Sequence, residues 1–289
     1  MESVPQNQAE KLGYARDAKL LIIHADDLGM SHSVNAASMK AFETGFVNSG
    51  SIMVPCPWFP EIASYAKSRP NFDLGIHLTL TSEWNFYRWR PVTPERRTPT
   101  LYDKQGYFYA SQAEIIERAS IRDIEIEIRN QIERACAFGI RPTHLDSHMN
   151  ILYTNQTLFK MFLEVSREYK LPVMMPKEWF AQNDLLSMVL NPNDILIDRI
   201  VQAHTNIAAE RWQSYYTRLV KDLKPGVTEI IAHLAYDDEE MRAVTTGHVD
   251  WGASWRQRDF DFFTSEAFHQ LLEENDIKLV TFLELGGID

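Results

Sequence analysis

Along the chain, apolar and polar positions alternate between two periods. Lys19–His24 (KLLIIH) is an almost wholly apolar run that stops at Asp26-Asp27. A run apolar on both faces is what a strand in a parallel sheet needs. A helical pattern follows over Ser33–Thr44, with Val34, Ala37 and Ala41 on one face. Ser51–Pro55 reads as the next β-type run, Phe59–Ser68 as a helix and Asp73–Thr81 (DLGIHLTLT) as a strand. Ile121, Ile124, Ile128, Ile132 and Ala135 form a helical stripe that Gly139 ends, at a position where a left-handed backbone favours glycine. Ile140–Ser147 is again β-type.

The second half repeats the alternation. Leu158–Tyr169 predicts a helix and Leu171–Met175 a strand, while Ile195–Val201 fits either. Trp212, Tyr215, Tyr216, Leu219, Val220 and Leu223 keep to one helical face, and Pro225-Gly226 stops them. Thr228–Ala235 is a strand, Glu266–Asn275 a helix and Ile277–Phe282 the last strand. Strands alternating with helices argue for a parallel sheet. Seven or eight such units without a linker favour a closed or nearly closed α/β barrel. Residues 1–17 read as a polar N-terminal extension and residues 18–289 as a single domain.

Most β-type runs end in residues that bind metals or move protons. The first ends in His24, Asp26 and Asp27; the third carries His77; the fourth carries His144, Asp146 and His148; the seventh carries His233. Barrel chemistry gathers at the C-terminal ends of strands, so these groups meet on one rim. Each has a plainer reading. Asp26-Asp27 would serve as helix caps, and His77 or His233 as hydrogen-bonded core residues. His144-x-Asp146-x-His148 is harder to explain that way, because three polar residues on one strand face are costly to bury unpaired. Two histidines and a carboxylate bind Zn²⁺ well, and the same set can hold Mg²⁺, Mn²⁺ or Fe²⁺, so the sequence alone does not choose the metal. A bound metal polarises a carbonyl and lowers the pKa of water; a second carboxylate takes the proton and an opposing histidine gives one to the leaving amine.

Composition narrows the partners. The formal net charge of −11, with no Lys/Arg cluster outside Arg88–Arg97, excludes a generic nucleic-acid or anionic-membrane surface. No apolar run reaches the roughly 18 residues of a membrane span. The first 17 residues contain no apolar core of a signal peptide, which points to the cytoplasm or to a mature secreted or periplasmic form already trimmed. Cys56 and Cys136 read as two buried free thiols.

The segments HADDLGMSHSVN, LGIHLTLT, PTHLDSHMN and IIAHLAYDDEEMR, in this order, resemble the YdjC-like (ChbG-type) carbohydrate deacetylases over roughly Ala18 to Leu285. The resemblance implies a distorted β/α barrel, one divalent metal ion (Mg²⁺ or Zn²⁺) and removal of N-acetyl groups from amino sugars. It implies Asp27, His77 and His148 as metal ligands, Asp26 as catalytic base and His233 as the histidine that assists the leaving group. His144 and Asp146 would orient the ligands, and Arg256 would order the aspartates or hold substrate. Three positions depart from the family pattern: His24 stands where Asn is common, Met149-Asn150 follow Asp-Ser-His, and His233 precedes Leu234 instead of Pro. They bear on substrate identity more than on activity.

Two stretches dense in aromatic and basic residues, 83–97 and 247–258, add Trp84, Trp89, Trp251 and Trp255 as rings on which a sugar would stack. The same residues suit packing between loops or a homodimer contact. Other readings of the ligand set are a different amide or ester hydrolase, an iron oxygenase and a non-catalytic sugar-binding protein. The adjacent second aspartate and the fourth histidine fit hydrolysis best.

Overall fold

A computed structural model describes residues 8–178, 189–191 and 194–287. Among these residues seven strands form one sheet, all pairs parallel: β1 (Lys19–Leu28), β2 (Ser49–Ile52), β3 (Leu74–Leu78), β4 (Leu145–Ser147), β5 (Arg199–Gln202), β6 (Gly226–Ala232) and β7 (Ile277–Leu279). Their order is β4-β3-β2-β1-β6-β5, with β7 also on β1. Since β6 lines one edge of β1 from Lys19 to Ala25, β7 and β2 share the other: β7 pairs with Lys19–Leu21 and β2 with His24 onward. The Asn48 side chain bridges that junction, accepting from the Ile23 amide at 2.8 Å and donating to the Val280 carbonyl at 2.7 Å.

The sheet curls toward closure. Leu145 of β4 bridges to Val173, and Pro176 bridges to Ile197 just ahead of β5. These two bridges carry the ring round, giving the distorted barrel that the alternating pattern predicts. The expected strand Leu171–Met175 is therefore present only as a single bridge at Val173, with the second at Pro176 just beyond it, and within the ambiguous stretch 195–201 the strand begins at Arg199. Most other β runs are shorter than their apolar stretches. β1 is longer: it continues through both aspartates to Leu28.

Burial follows the two faces of β1. Leu21, Ile23 and Ala25 pack outward in the main core with helix residues such as Val34, Ala37 and Phe262. Leu20 and Ile22 pack inward with Val227, Ile197 and Val280. Ala9, in the short helix Gln8–Lys11, is fully buried in this inner cluster, with Leu12 and Tyr14 against it. The described part of the polar extension thus forms the floor of the barrel. Of the two thiols, Cys56 is buried as expected and Cys136 is exposed on its helix. Among the described residues no helix is long and apolar enough to cross a membrane.

Candidate functional site

A cavity of about 330 Å³ opens at the C-terminal ends of the strands and is lined by Asp26, Asp27, His77, Asp146, His148 and His233, among others. Regular alternation would point only one of two adjacent aspartates inward. The register of β1 against β2 shifts between Ala25 and Leu28, and Asp27 takes a left-handed backbone, φ 63°. This bulge turns the second carboxylate back toward the cavity beside the first. Met149, Asn150 and Trp251 also have left-handed φ and line the same cavity. Strained backbone gathers at functional sites when the surroundings enforce it.

Three donor atoms form a small triangle. His77 Nε2 is 3.1 Å from His148 Nδ1, and Asp27 Oδ1 is 3.5 Å from the first and 3.4 Å from the second. Tetrahedral ligands with bonds of about 2.1 Å stand roughly 3.4 Å apart, so the triangle has the dimensions of a metal-binding face. Asp27 Oδ1 is buried without a hydrogen-bond partner, which a cation would supply. The far atoms of the triangle are tied back. His77 Nδ1 lies 2.8 Å from Asp146 Oδ2, His148 Nε2 lies 2.9 Å from Glu83 Oε1, and Arg256 Nη2 donates to Asp27 Oδ2 at 2.6 Å. Burial disfavours a charge on His148, yet Glu83 and Asp27 hold its pKa well above the ordinary imidazole value. Burial also disfavours the Asp27 carboxylate, but the Arg256 guanidinium holds it well below the usual carboxylate range.

Asp26 occupies the space between the triangle and His233. Its Oδ1 is 3.2 Å from His77 Nδ1 and accepts from Ser51 Oγ at 3.2 Å; its Oδ2 is 3.6 Å from His233 Nε2. His233 stands beside Asp26 rather than across the cavity from it. Burial, aided by Arg256 and only partly offset by Asp27, pushes His233 down to about 4, so it is neutral at pH 7. Its backbone is fixed from outside: Asp259 accepts from the His233 amide at 3.0 Å, from Trp212 Nε1 at 2.9 Å and from the Tyr216 hydroxyl at 2.9 Å.

Beneath the triangle lies a buried polar layer. Ser51 Oγ sits 3.0 Å from His24 Nε2 and 2.8 Å from Asp146 Oδ2. Although His24, Asp26 and Asp146 lie close enough to share an ion, this hydroxyl fills the space between them. His24 Nδ1 is 3.2 Å from Glu229 Oε1; burial alone would lower the His24 pKa, but Glu229 raises it to about 9. His144 lies lower still. Its ring stacks on Phe282 at 4.0 Å, its Nδ1 is 2.9 Å from Thr143 Oγ1, and a Cβ on Gly75 would come within 2.5 Å of it. It makes no hydrogen bond or ion pair with Asp27, His77 or His148, so it does not orient them as expected.

The aromatic candidates divide. Trp84 and Trp251 line the cavity. Trp89 and Trp255, each only 2% exposed, do not: Trp89 donates its indole N–H to the Thr81 carbonyl, and Trp255 packs edge-on against Trp212. The two aromatic loops also pack on each other, through Trp84 with His248 and Asn85 with the Thr246 carbonyl. Glu83, Ser51, Glu229 and Asp259 escaped the sequence reading. Only Glu229 carried a signal, as a lone acid in an apolar strand; Glu83 sits in an irregular loop with no pattern to mark it.

Residues 20–274 match the model of a family described as YdjC-like protein. The chain is 32% identical to a carbohydrate deacetylase of Brevibacillus brevis, covering 92% of this chain and 99% of that one. It is 26% identical to a carbohydrate deacetylase of Thermoanaerobacter pseudethanolicus, over 91% and 98% of the two chains. A crystal structure from Enterococcus faecalis, described as a candidate cellobiose-phosphate cleavage protein, superposes with a TM-score of 0.77 at 28% identity, over 93% of this chain and 99% of that one.

Proposed function

The chain belongs to the YdjC-like protein family, and from that premise we propose that it is a metal-dependent hydrolase that removes the acetyl group from the nitrogen of amino sugars. The observation that carries this reading is the Asp27–His77–His148 triangle with Asp26 beside it. Its relatives named carbohydrate deacetylases support the sugar substrate.

Asp27 Oδ1, His77 Nε2 and His148 Nδ1 would hold one divalent cation. Two imidazoles favour Zn²⁺ over Mg²⁺. When bound, the cation polarises the acetyl carbonyl and makes water acidic enough to deprotonate near neutral pH. Asp146 and Glu83 orient the two imidazoles, and Arg256 fixes the Asp27 carboxylate. Asp26 takes a proton from the attacking water. The water oxygen first adds to the acetyl carbon, forming the new C–O bond; the C–N bond then breaks, and the sugar nitrogen must gain a proton to leave. His233, neutral at rest and 3.6 Å from Asp26, can accept that proton and pass it to the amine. Acetate and a free amino sugar result. Trp84 and Trp251 line the cavity and would pack against the sugar.

The test is acetate release from N-acetylglucosamine, N,N′-diacetylchitobiose and the corresponding trisaccharide, with Zn²⁺, Mg²⁺, Mn²⁺ or Co²⁺ and with EDTA. Metal-dependent release is expected. No release from any substrate by protein carrying a metal would turn the reading toward another amide or ester.

A further inference from the structure

The polar layer beneath the triangle is costly to build. His24, Ser51 and Glu229 are wholly buried and Asp146 nearly so. A buried ion pair is often no better for stability than apolar residues of the same volume. One step lower the barrel interior is filled in that apolar way, by Leu20, Ile22, Val227 and Ile197. Holding the fold together therefore does not account for the layer.

Its geometry turns on one hydroxyl. Ser51 Oγ lies 3.0 Å from His24 Nε2, 2.8 Å from Asp146 Oδ2 and 3.2 Å from Asp26 Oδ1. A serine has one proton to donate and lone pairs that accept. A bare Nε2 on His24 would compete with both carboxylates for that proton. The far side of the ring decides against this. His24 Nδ1 faces Glu229 Oε1 at 3.2 Å, with Ser49 Oγ at a longer 3.4 Å, and among the described residues His24 is the one ion-pair partner of Glu229. Burial opposes a charge on His24, but Glu229, with Asp146 and Asp26 behind it, outweighs burial and raises the imidazole to about 9. Nε2 therefore carries a hydrogen at neutral pH. It does so even if the shared proton sits on Glu229, because the imidazole then accepts at Nδ1 and keeps Nε2–H. With His24 donating to it, the Ser51 hydroxyl has only carboxylates to donate to. Asp26 Oδ1 is engaged from below by Ser51 and by His77 Nδ1 at 3.2 Å, while Asp26 Oδ2 points toward His233.

We propose that His24 is a positioning residue of the reaction: backed by Glu229, it fixes the direction of the Ser51 hydroxyl, which holds Asp26 by Oδ1 and Asp146 by Oδ2 and so leaves Asp26 Oδ2 to meet the attacking water. The inference rests on the deacetylase reading, in which Asp26 is the base.

The test has two parts. Nitrogen NMR of the imidazoles in the metal-free protein, with His24 assigned by its loss in His24→Gln, should show a hydrogen on Nε2 at neutral pH; a bare Nε2 overturns the proposal. Acetate release from N,N′-diacetylchitobiose is then measured with whichever of Zn²⁺, Co²⁺, Mn²⁺ and Mg²⁺ supports the highest rate. Ser51→Ala and His24→Leu should each lower kcat roughly 10–100-fold, as a misaimed group does, with KM within about twofold of wild type. The double variant should be no slower than the slower single one, because both changes remove the same constraint. His24→Gln, which keeps an N–H donor, should recover most of the rate. Wild-type kcat in Ser51→Ala, losses that multiply in the double variant, a KM that rises in step as kcat falls, or a His24→Gln as slow as His24→Leu each overturn the proposal. If His24→Leu does not fold with Glu229 left alone, His24→Leu/Glu229→Leu removes the pair together and takes its place. A wild type that releases no acetate sinks the deacetylase reading and the positioning role with it. An active wild type matched by Ser51→Ala sinks the positioning role alone.

Discussion

Arg256 Nη2 lies 2.6 Å from Asp27 Oδ2, with both side chains almost wholly enclosed. The pair holds one carboxylate oxygen so that the other faces His77 and His148. Removing one partner of a buried pair typically costs about 3–5 kcal/mol, because the remaining charge is left without compensation. Arg256→Met should lose stability on that scale in chemical denaturation. It should also bind metal roughly 10–100-fold more weakly. Unchanged metal affinity in a folded Arg256→Met protein would remove the arginine from any role in shaping the site.

The ligand and base roles separate by substitution. Asp27→Ala, His77→Ala and His148→Ala should each lose the metal, read by elemental analysis of purified protein. Any variant that keeps a full complement leaves the ligand set. Asp26→Asn should retain metal yet turn over roughly 10²–10⁴-fold more slowly, the usual contribution of a positioned base. Turnover near that of wild type would end the case for Asp26.

The tryptophans predict different phenotypes. Trp251→Ala removes a ring from the cavity wall and should raise KM for a trisaccharide more than for a monosaccharide. Trp89→Ala removes a core side chain and should cost about 3–5 kcal/mol of stability. A Trp89→Ala protein as stable as wild type, with only KM raised, would restore that residue to the substrate surface.

Two buried histidines act on stability with opposite sign. Burial lowers His144 to about 4 from its free value of 6.5. Between those pH values the unfolded chain takes up a proton that the folded chain refuses, so stability falls as pH falls through the window. His24 is raised to about 9, chiefly by Glu229 working against burial. Its contribution is complete below 6.5 and is lost as pH rises toward 9. His233, also lowered to about 4, adds to the acid limb. Each group contributes a slope of up to ~1.4 kcal/mol per pH unit. His144→Gln should therefore remove about half of the acid limb and Glu229→Gln should flatten the alkaline one, in denaturation curves at stepped pH. Limbs that persist unchanged would mean other groups set the pH profile.

The sequence was most informative where a chemical group coincided with the end of an apolar run. His77, His148 and His233 were legible because strand ends converge in a barrel, whatever the detailed register. Asp26 and Asp27 were both assigned to the site from their place at a strand end and from the family resemblance, but the bulge and left-handed backbone that turn both inward are encoded by no side-chain pattern. Glu83 was missed because loop residues obey no period. Trp89 and Trp255 were misassigned because a cluster of aromatics does not reveal which rings face a cavity and which face each other. The short helix at Gln8–Lys11 was read as part of a tail, since one alanine and two larger apolar residues carry too little signal to mark a plug.

The ring of strands is not equally strong all the way round. Along β1 and β6 pairing runs unbroken from Lys19 to Ala25, whereas between β4 and β5, among the described residues, it depends on the Leu145–Val173 and Pro176–Ile197 bridges. Deuterium should therefore replace hydrogen first at the Met174 and Ile197 amides, which bond across that seam, and last along β1. Met174 also lines the cavity. The wall beside the seam is thus the one expected to give way when a ligand is too wide for the resting shape, while the wall that carries the two aspartates should stay in place.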